Sequence, residues 1–440
     1  MTAEVDAPPK LPRRAFGIIF CVSMATALGN TGLQSVLPVI GRSLSVPDFL
    51  VSAIFSLSAI LWAVSSPFWA RLSDLRGRKP LMLLGLGGFM ISMIVCGAVV
   101  TAGLHHLAPP MIIFGLLLVA RAIFGLFGAA SNPATQAYVA EHTSRLDRTQ
   151  AMANLAGAFG LGTVIGPFVA PLFIIPHDNV AGPLFGFAVI AAVMLFVVVR
   201  FLPESPFASA ARDRALQTRG DRAGQTGLAM WRDARLFPFL IYGFLLSTTQ
   251  SAQGQTLGFL IIDQLHVSPA GAQGFIAVAM MFGAVAGLLA QWGVIRMFEM
   301  TPRDLLRWGV GISALGMLTV AVGGSYWVAV AGYAISSLGF GLARPGFTAG
   351  ASLSVNMDEQ ARAAGAIAAV NGVNVLLAPG FVWLYEHIAP LPFLIAAAIL
   401  ASLLVYTYTN PTLRALGALP AGQDESTLAG LERSDEGAGA

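Results

Sequence analysis

Ala70-Arg71-Leu72-Ser73-Asp74-Leu75-Arg76-Gly77-Arg78-Lys79 is a charged knot of ten residues with a long apolar run on either side. Val51 to Trp69 upstream and Leu81 to Val100 downstream are each long enough to cross a bilayer as a helix, so the knot is a short turn at one membrane face. Its basic excess assigns that face to the cytoplasm. Asp74, Arg78 and Lys79 fall where two helix ends meet, which suits charge-assisted hydrogen bonds able to latch or release two rods. Gly77 lets the chain turn where a side chain would obstruct it.

The composition agrees with a chain that lives in lipid. Of 440 residues 56% are hydrophobic and 11% charged, whereas about a quarter of a soluble domain is charged. A net charge of +3 gives no ground for a nucleic-acid partner. Cys21 and Cys96 lie in apolar stretches and read as small hydrophobes. Met1 to Arg14 does not read as a cleavable signal peptide, because the apolar run after it is too long and lacks a small-residue cleavage site. The sequence has no nucleophile elbow, metal-spaced His or Cys cluster, or phosphate-binding loop, so no enzyme, metal, cofactor or ATP-driven pump is expected.

Apolar runs at 16–40, 49–71, 80–102, 110–136, 151–174, 181–202, 237–262, 271–296, 305–323, 326–352, 362–384 and 391–409 predict twelve transmembrane helices. The basic residues of the connections alternate in side: Arg71 to Lys79, Arg145, Arg148, Arg200 to Arg235, Arg296 to Arg307 and Arg362 share one face, and Arg42 stands on the other. Both termini are therefore expected in the cytoplasm. Organisation follows as an N-terminal tail (1–15), a six-helix bundle (16–202), a basic linker (203–234), a second six-helix bundle (235–409) and a Gly-, Ala- and acid-rich tail (410–440) expected to be disordered. A repeat supports duplication: Pro133 and Pro345, like Pro167 and Pro379, are 212 residues apart (345 − 133; 379 − 167).

The knot resembles the loop between helices 2 and 3 of the major facilitator superfamily, with Ala70 in place of a Gly and Leu75 in place of a basic residue. Arg121, followed by Gly125, Gly128, Ala129 and Ala130, is similar to that family's helix 4 motif, with Phe124 where the motif has Gln. Gly162-Thr163-Val164-Ile165-Gly166-Pro167 resembles the antiporter motif of drug:proton exporters, with Ala170-Pro171 replacing its final Gly-Gly. The run from Arg121 to Pro171 looks like the tetracycline-exporter branch. The resemblance implies an all-α membrane protein of two six-helix bundles, the major facilitator fold, and proton-driven efflux.

Independently of that likeness, Ala158, Gly162, Gly166 and Ala170 recur every fourth residue, a smooth stripe against which another helix can pack, with Pro167 bending the rod there. The seventh run holds eight polar residues between Ser247 and Thr256. With Asn30, Thr31 and Gln34 of the first run and Asn371 and Asn374 of the eleventh, they outline a midplane cavity; Asn30, Gln34, Thr249, Gln250, Gln253, Arg344, Asn371 and Asn374 are its candidate lining. Arg121 and Arg344 are arginines inside apolar runs, and no Asp, Glu or His occupies the middle of any run. An arginine at that depth marks a functional site by default. The central field is then positive, which disfavours lipophilic cations and suits an anionic, zwitterionic or neutral molecule. Backbone oxygens freed at Pro345 are the competing partner for Arg344.

Proton coupling needs a titrating group, and the candidates are Asp74, Glu141 and Asp263 near helix ends, with Arg121 added by the resemblance. Asp74, Gly77, Arg78, Lys79, Gly162, Gly166 and Pro167 are the gating candidates. Together these features describe a monomeric multi-pass protein of a bacterial inner membrane, exporting a small organic molecule against protons by alternating access. An uptake symporter for an organic anion or nutrient and a transporter-like receptor are the alternatives.

Overall fold

Stretches of twenty or more apolar residues in lipid must satisfy every backbone N–H and C=O within themselves, so the chain folds into rods. The computed structural model describes residues 12–143, 145–174, 179–204, 233–355 and 359–416, without the side chains of 145–149, 153, 360–362, 364, 368, 371 and 373. Among them every regular element is helical.

The first half comprises α1 (Arg13–Ser43), α2 (Asp48–Arg76), α3 (Arg78–Leu104), α4 (Pro110–Phe127, carried through a 3-10 turn into Ser131–Glu141), α5 (Arg145–Val169, ending in the turn Ala170–Phe173) and α6 (Gly182–Phe201). The second comprises α7 (Phe237–Leu265), α8 (Pro269–Leu289, extended to Met297), α9 (Pro302–Val322), α10 (Tyr326–Leu353), α11 (Gln360–Val373, continued by a 3-10 turn into Ala378–His387) and α12 (Leu391–Thr409). Several rods outrun the expected spans because charged ends such as Arg13, Arg76 and Glu141 continue the helix beyond the hydrocarbon. Among the described residues ten of the twelve are long and apolar enough to cross a membrane, all but α7 and α11. The tail expected from 410 begins with another helical turn, Pro411–Arg414, capped by the Asn410 side chain and anchored by buried Leu413. Residues 417–440, residues 1–11 and most of the linker lie outside the described residues, while Arg13–Ala15 of the expected N-terminal tail already belong to α1, because a helix runs on past the hydrocarbon where its charged end meets water.

α1 packs on α5 and α3 on α4 and α6, while α9 packs on α10 and α12 and α8 on α10, giving two six-helix bundles. The duplication is visible in their packing. A Cβ on Gly85 of α3 would lie 2.5 Å from the Ser131 Cβ of α4, and one on Gly309 of α9 would lie 2.5 Å from the Ala343 nitrogen of α10. Ser131 and Ala343 are again 212 residues apart (343 − 131). Each half thus brings its third and fourth rods together backbone to backbone at the same place.

The end of the molecule bearing Gly77 is termed here the knot face, and the opposite end the far face. Among the described residues the hydrogen bonds between bundles lie in the far-face half: Arg42 to Asp263, the Phe49 N–H to Glu386, Ser52 to Gln255, Ser56 to the Val375 carbonyl and Gln273 to Ser35. α2 meets α11 chiefly along Ala378–His387, the far-face part of that rod. The far face is closed.

Candidate transport site

Arg121 sits in α4 with 2% of its surface exposed. Its Nη2 donates to Asn30 Oδ1 of α1 at 3.0 Å, and its guanidinium lies 4.5 Å from the Phe124 ring centroid and 5.4 Å from that of Phe55. Phe124, which takes the place of the motif's Gln, therefore offers a π face where an amide would offer an oxygen. Nε and Nη1 have no hydrogen-bond partner among the described residues. The backbone is pinned there: Ser58 of α2 and Ser92 of α3 donate to the carbonyls of Arg121 and Ala120, and Gly125 lets α2 approach until a Cβ would lie 2.6 Å from the Ser58 oxygen. The local fold holds the cation in place without neutralising it.

Arg344 of α10 donates to the Gln250 side-chain oxygen of α7. That bond directs the side chain at α7, and among the described residues it makes no hydrogen bond to the Gly341 carbonyl that Pro345 leaves unpaired. Both arginines are without an ion-pair partner among the described residues.

The polar run of α7 is divided between tasks. Gln250 is half-buried beside Arg344, Gln253 donates to Ser336 of α10, and Gln255 accepts from Ser52 of the other bundle. Thr249 is fully buried and returns its hydroxyl to the Leu246 carbonyl. Thr249 and Gln253, expected on a cavity wall, are thus enclosed within the second bundle, because a polar side chain in an apolar interior takes the nearest partner. Asn30, Gln34 and Gln250 remain half-buried, whereas Asn374 is buried and donates to the Val370 carbonyl. The side chain of Asn371 lies outside the described residues. One turn from Asn30 toward the far face, Gln34, Phe55 and Gln255 enclose only about 10 Å³, too little for anything larger than a water.

At the knot, Arg78 is 5% exposed and grips Asp74 at 2.6 Å and Glu141 at 2.6 Å, with Ser73 at 3.0 Å. Gly77 has φ +98, where side chains are strained, and a Cβ would also lie 3.1 Å from the Glu204 carboxylate. Glu204 accepts the Arg78 and Lys79 backbone N–H groups, capping α3 with a charge that complements its dipole. Lys79 donates to the Val199 carbonyl of α6 and meets neither acid. The knot thus ties α2, α3, α4 and α6 of one bundle. Sequence reasoning missed Glu204; its signal was an acid directly following the sixth apolar run. Across the second bundle's knot-face end, Arg235 pairs with Glu359 at 3.1 Å and with Asp233, whose carboxyl it holds below the usual range.

Gly162 and Gly166 set the α1–α5 contact: a Cβ would lie 2.2 Å from the Met24 oxygen or 2.3 Å from the Leu28 oxygen. Pro167, just after it, is buried as well. On the far face Arg42 joins Asp48 at 2.6 Å and Asp263 at 3.1 Å, and Asp263 accepts from the Tyr385 hydroxyl at 2.7 Å. A recess of about 590 Å³ opens over this cluster, with Glu386 and His387 on its wall. Asp48 and Tyr385 were not expected there. The signal was Arg42, the lone basic residue in the far-face connections.

A family profile, the Major Facilitator Superfamily, matches residues 19–379. Tetracycline resistance protein, class H, of Pasteurella multocida is 24% identical over 89% of this chain and 95% of its own. Multidrug resistance protein MdtG of Proteus mirabilis is 23% identical over 70% of this chain and 73% of its own. Among solved structures, a peptide transporter POT in complex with sulfate superposes with a TM-score of 0.69 at 16% identity, covering 93% of this chain and 97% of that one. Two bundles joined at a seam, a charged knot after the second helix and a match over most of the sequence agree: the chain belongs to the Major Facilitator Superfamily of membrane transporters.

Proposed function

We propose that this transporter exports a small organic molecule, anionic, zwitterionic or neutral, in exchange for protons by alternating access. The observation that carries the substrate class is Arg121, a buried guanidinium with Nε and Nη1 free and no acid beside it among the described residues. A desolvated cation strongly favours an anionic partner and repels another cation. Arg344 with Gln250 is the second anchor, Asn30 holds Arg121, and Gln34 lies against Gly254 of the other bundle. The tetracycline and multidrug resistance relatives support export as the direction. Asp263, Glu141 and Asp74 are the titratable groups at the two gates.

Arg71, Arg76, Arg78, Lys79, Arg200, Arg235, Arg296, Arg303 and Arg307 gather at the knot face and Arg42 at the far face, which supports a cytoplasmic knot face in a bacterial inner membrane and a closed outer gate. The protein works as a monomer of two bundles, with the segment 203–234 as linker. Everted and right-side-out vesicles given a fluorescent organic anion or tetraphenylphosphonium test this. Uphill accumulation of the anion in everted vesicles, driven by an interior-acid gradient, is expected. Accumulation of the cation, or of the anion only in right-side-out vesicles, overturns the substrate class or the direction respectively.

A further inference from the structure

Arg303 and Arg307 stand one turn apart at the knot-face start of α9, and neither meets an acid among the described residues. The Nε atom of each is shielded from solvent and has no hydrogen-bond partner. Arg307 lies over the Tyr408 ring of α12, 3.9 Å from its centroid, and donates Nη2 to the Thr407 carbonyl at 3.4 Å. The adjacent Asp304 is committed elsewhere, accepting from the Thr301 N–H and hydroxyl to cap α9. Two neighbouring cations therefore lack a counter-ion, a costly arrangement for partly buried charge.

Their surroundings are those of a membrane interface. Trp308 and Tyr408 are 63% and 54% exposed, and from Trp308 the exposed face of α9 continues through Leu315, Leu318 and Val322. That face is apolar along its whole length and adjoins the arginines at one end. The other half of the molecule supplies the contrast. With α3 laid on α9, Gly85 falls on Gly309 and Lys79 on Arg303, both offset by 224 (309 − 85; 303 − 79). There Arg78 is neutralised by Asp74 and Glu141, and Lys79 donates to the end of α6 as Arg307 does to the end of α12. In the second half Pro302 stands at the place of Arg78, and Arg303 and Arg307 meet no acid among the described residues.

We propose that Arg303 and Arg307, flanked by Trp308 and Tyr408, bind the phosphate of an anionic phospholipid in the leaflet at the knot face. Planar guanidinium groups match phosphate oxygens in pairs, and the indole and phenol rings belong at headgroup depth. A free phosphate shares this chemistry. The apolar stripe leading away from the arginines, which offers acyl chains a surface, favours the lipid.

Native mass spectrometry of the full chain in mild detergent, with equimolar phosphatidylglycerol and phosphatidylcholine, tests the site. The unmodified protein is expected to retain phosphatidylglycerol in preference by roughly tenfold or more. The Arg303→Gln/Arg307→Gln protein loses that preference, and excess inorganic phosphate does not displace the lipid from the unmodified one. Equal retention in the two proteins overturns the proposal, and so does displacement by phosphate, which identifies a free-anion site. Should the double variant misfold, Arg307→Lys and Tyr408→Leu each lower the preference by removing one side of the stacked fork; an unchanged preference in both overturns the proposal.

Discussion

Arg42 at the far-face end of α1 meets Asp263 at the same end of α7, Nη1 to Oδ1 at 3.1 Å, so one ion pair joins the bundles across their seam. Asp48 holds the other side of the guanidinium, and the Tyr385 hydroxyl holds the Asp263 carboxylate. Deeper in the seam Ser52 donates to Gln255 and Gln273 to Ser35. The proposed alternating access requires this whole column to part, and the outermost pair is its most hydrated member.

Replacing Asp263 by Asn is therefore expected to loosen the far face without unfolding either bundle. Arg42 and Asp263 side chains are 34% and 41% exposed, which limits the pair to about 1 kcal/mol and the population shift to roughly fivefold. Spin labels at Ser45 and Ala389, on the wall of the far-face recess, in a background with Cys21 and Cys96 replaced by Ser, report the change. The longer-distance population should grow in Asp263→Asn; an unaltered distribution contradicts the gate assignment.

How much of this was legible beforehand depended on the kind of interaction. Each apolar run became a rod, because hydropathy in lipid is decided residue by residue and along one segment. The α1–α5 contact was readable for the same reason: Gly162 and Gly166 carry their packing face in their own spacing. Partner choice was not. Gln253 could have faced a cavity or Ser336, and only the neighbouring rod decides. Glu204 caps a helix that begins 126 residues earlier, and Asp263 finds Arg42 from 221 residues away. Such pairings are set by the docking of rods, which no single stretch encodes.

The glycine stripe of α5 predicts a graded response. Gly162→Ala and Gly166→Ala drive a methyl into the Met24 or Leu28 carbonyl oxygen of α1, backbone that cannot step aside locally. Overpacking of this kind costs about 1–3 kcal/mol or more. Gly160→Ala, on the same rod with nothing within 4 Å of the new carbon, should be neutral or stabilising by about 1 kcal/mol through helix propensity. Thermal unfolding in detergent separates the two classes, and vesicle transport should fall only in the first.

At the knot the acids are unequal. Glu141 is 16% exposed and Asp74 39%, while both bind the same buried Arg78. Breaking a buried ion pair by removing one partner costs about 3–5 kcal/mol, and hydration reduces this steeply. Glu141→Gln should therefore destabilise the first bundle by several times more than Asp74→Asn. Unfolding midpoints of the two variants decide it; equal losses would mean that Arg78 is hydrated when the protein sits in lipid.

Arg121 separates function from stability most sharply. If its free Nε and Nη1 await a substrate anion, then Arg121→Gln removes about 2–5 kcal/mol of anion binding, at least roughly thirtyfold. The same change deletes an uncompensated buried charge, so the thermal midpoint should hold or rise. A guanidinium kept only to brace α4 against Asn30 and the Phe55 and Phe124 rings predicts the opposite sign, a falling midpoint. Arg121→Lys sharpens the test, since it keeps the charge but loses the planar fork that reaches Asn30 and a ligand together. Binding of a fluorescent organic anion measured beside the melting curve distinguishes them: affinity lost with stability retained supports an anchor for cargo, and parallel loss of both identifies a structural brace.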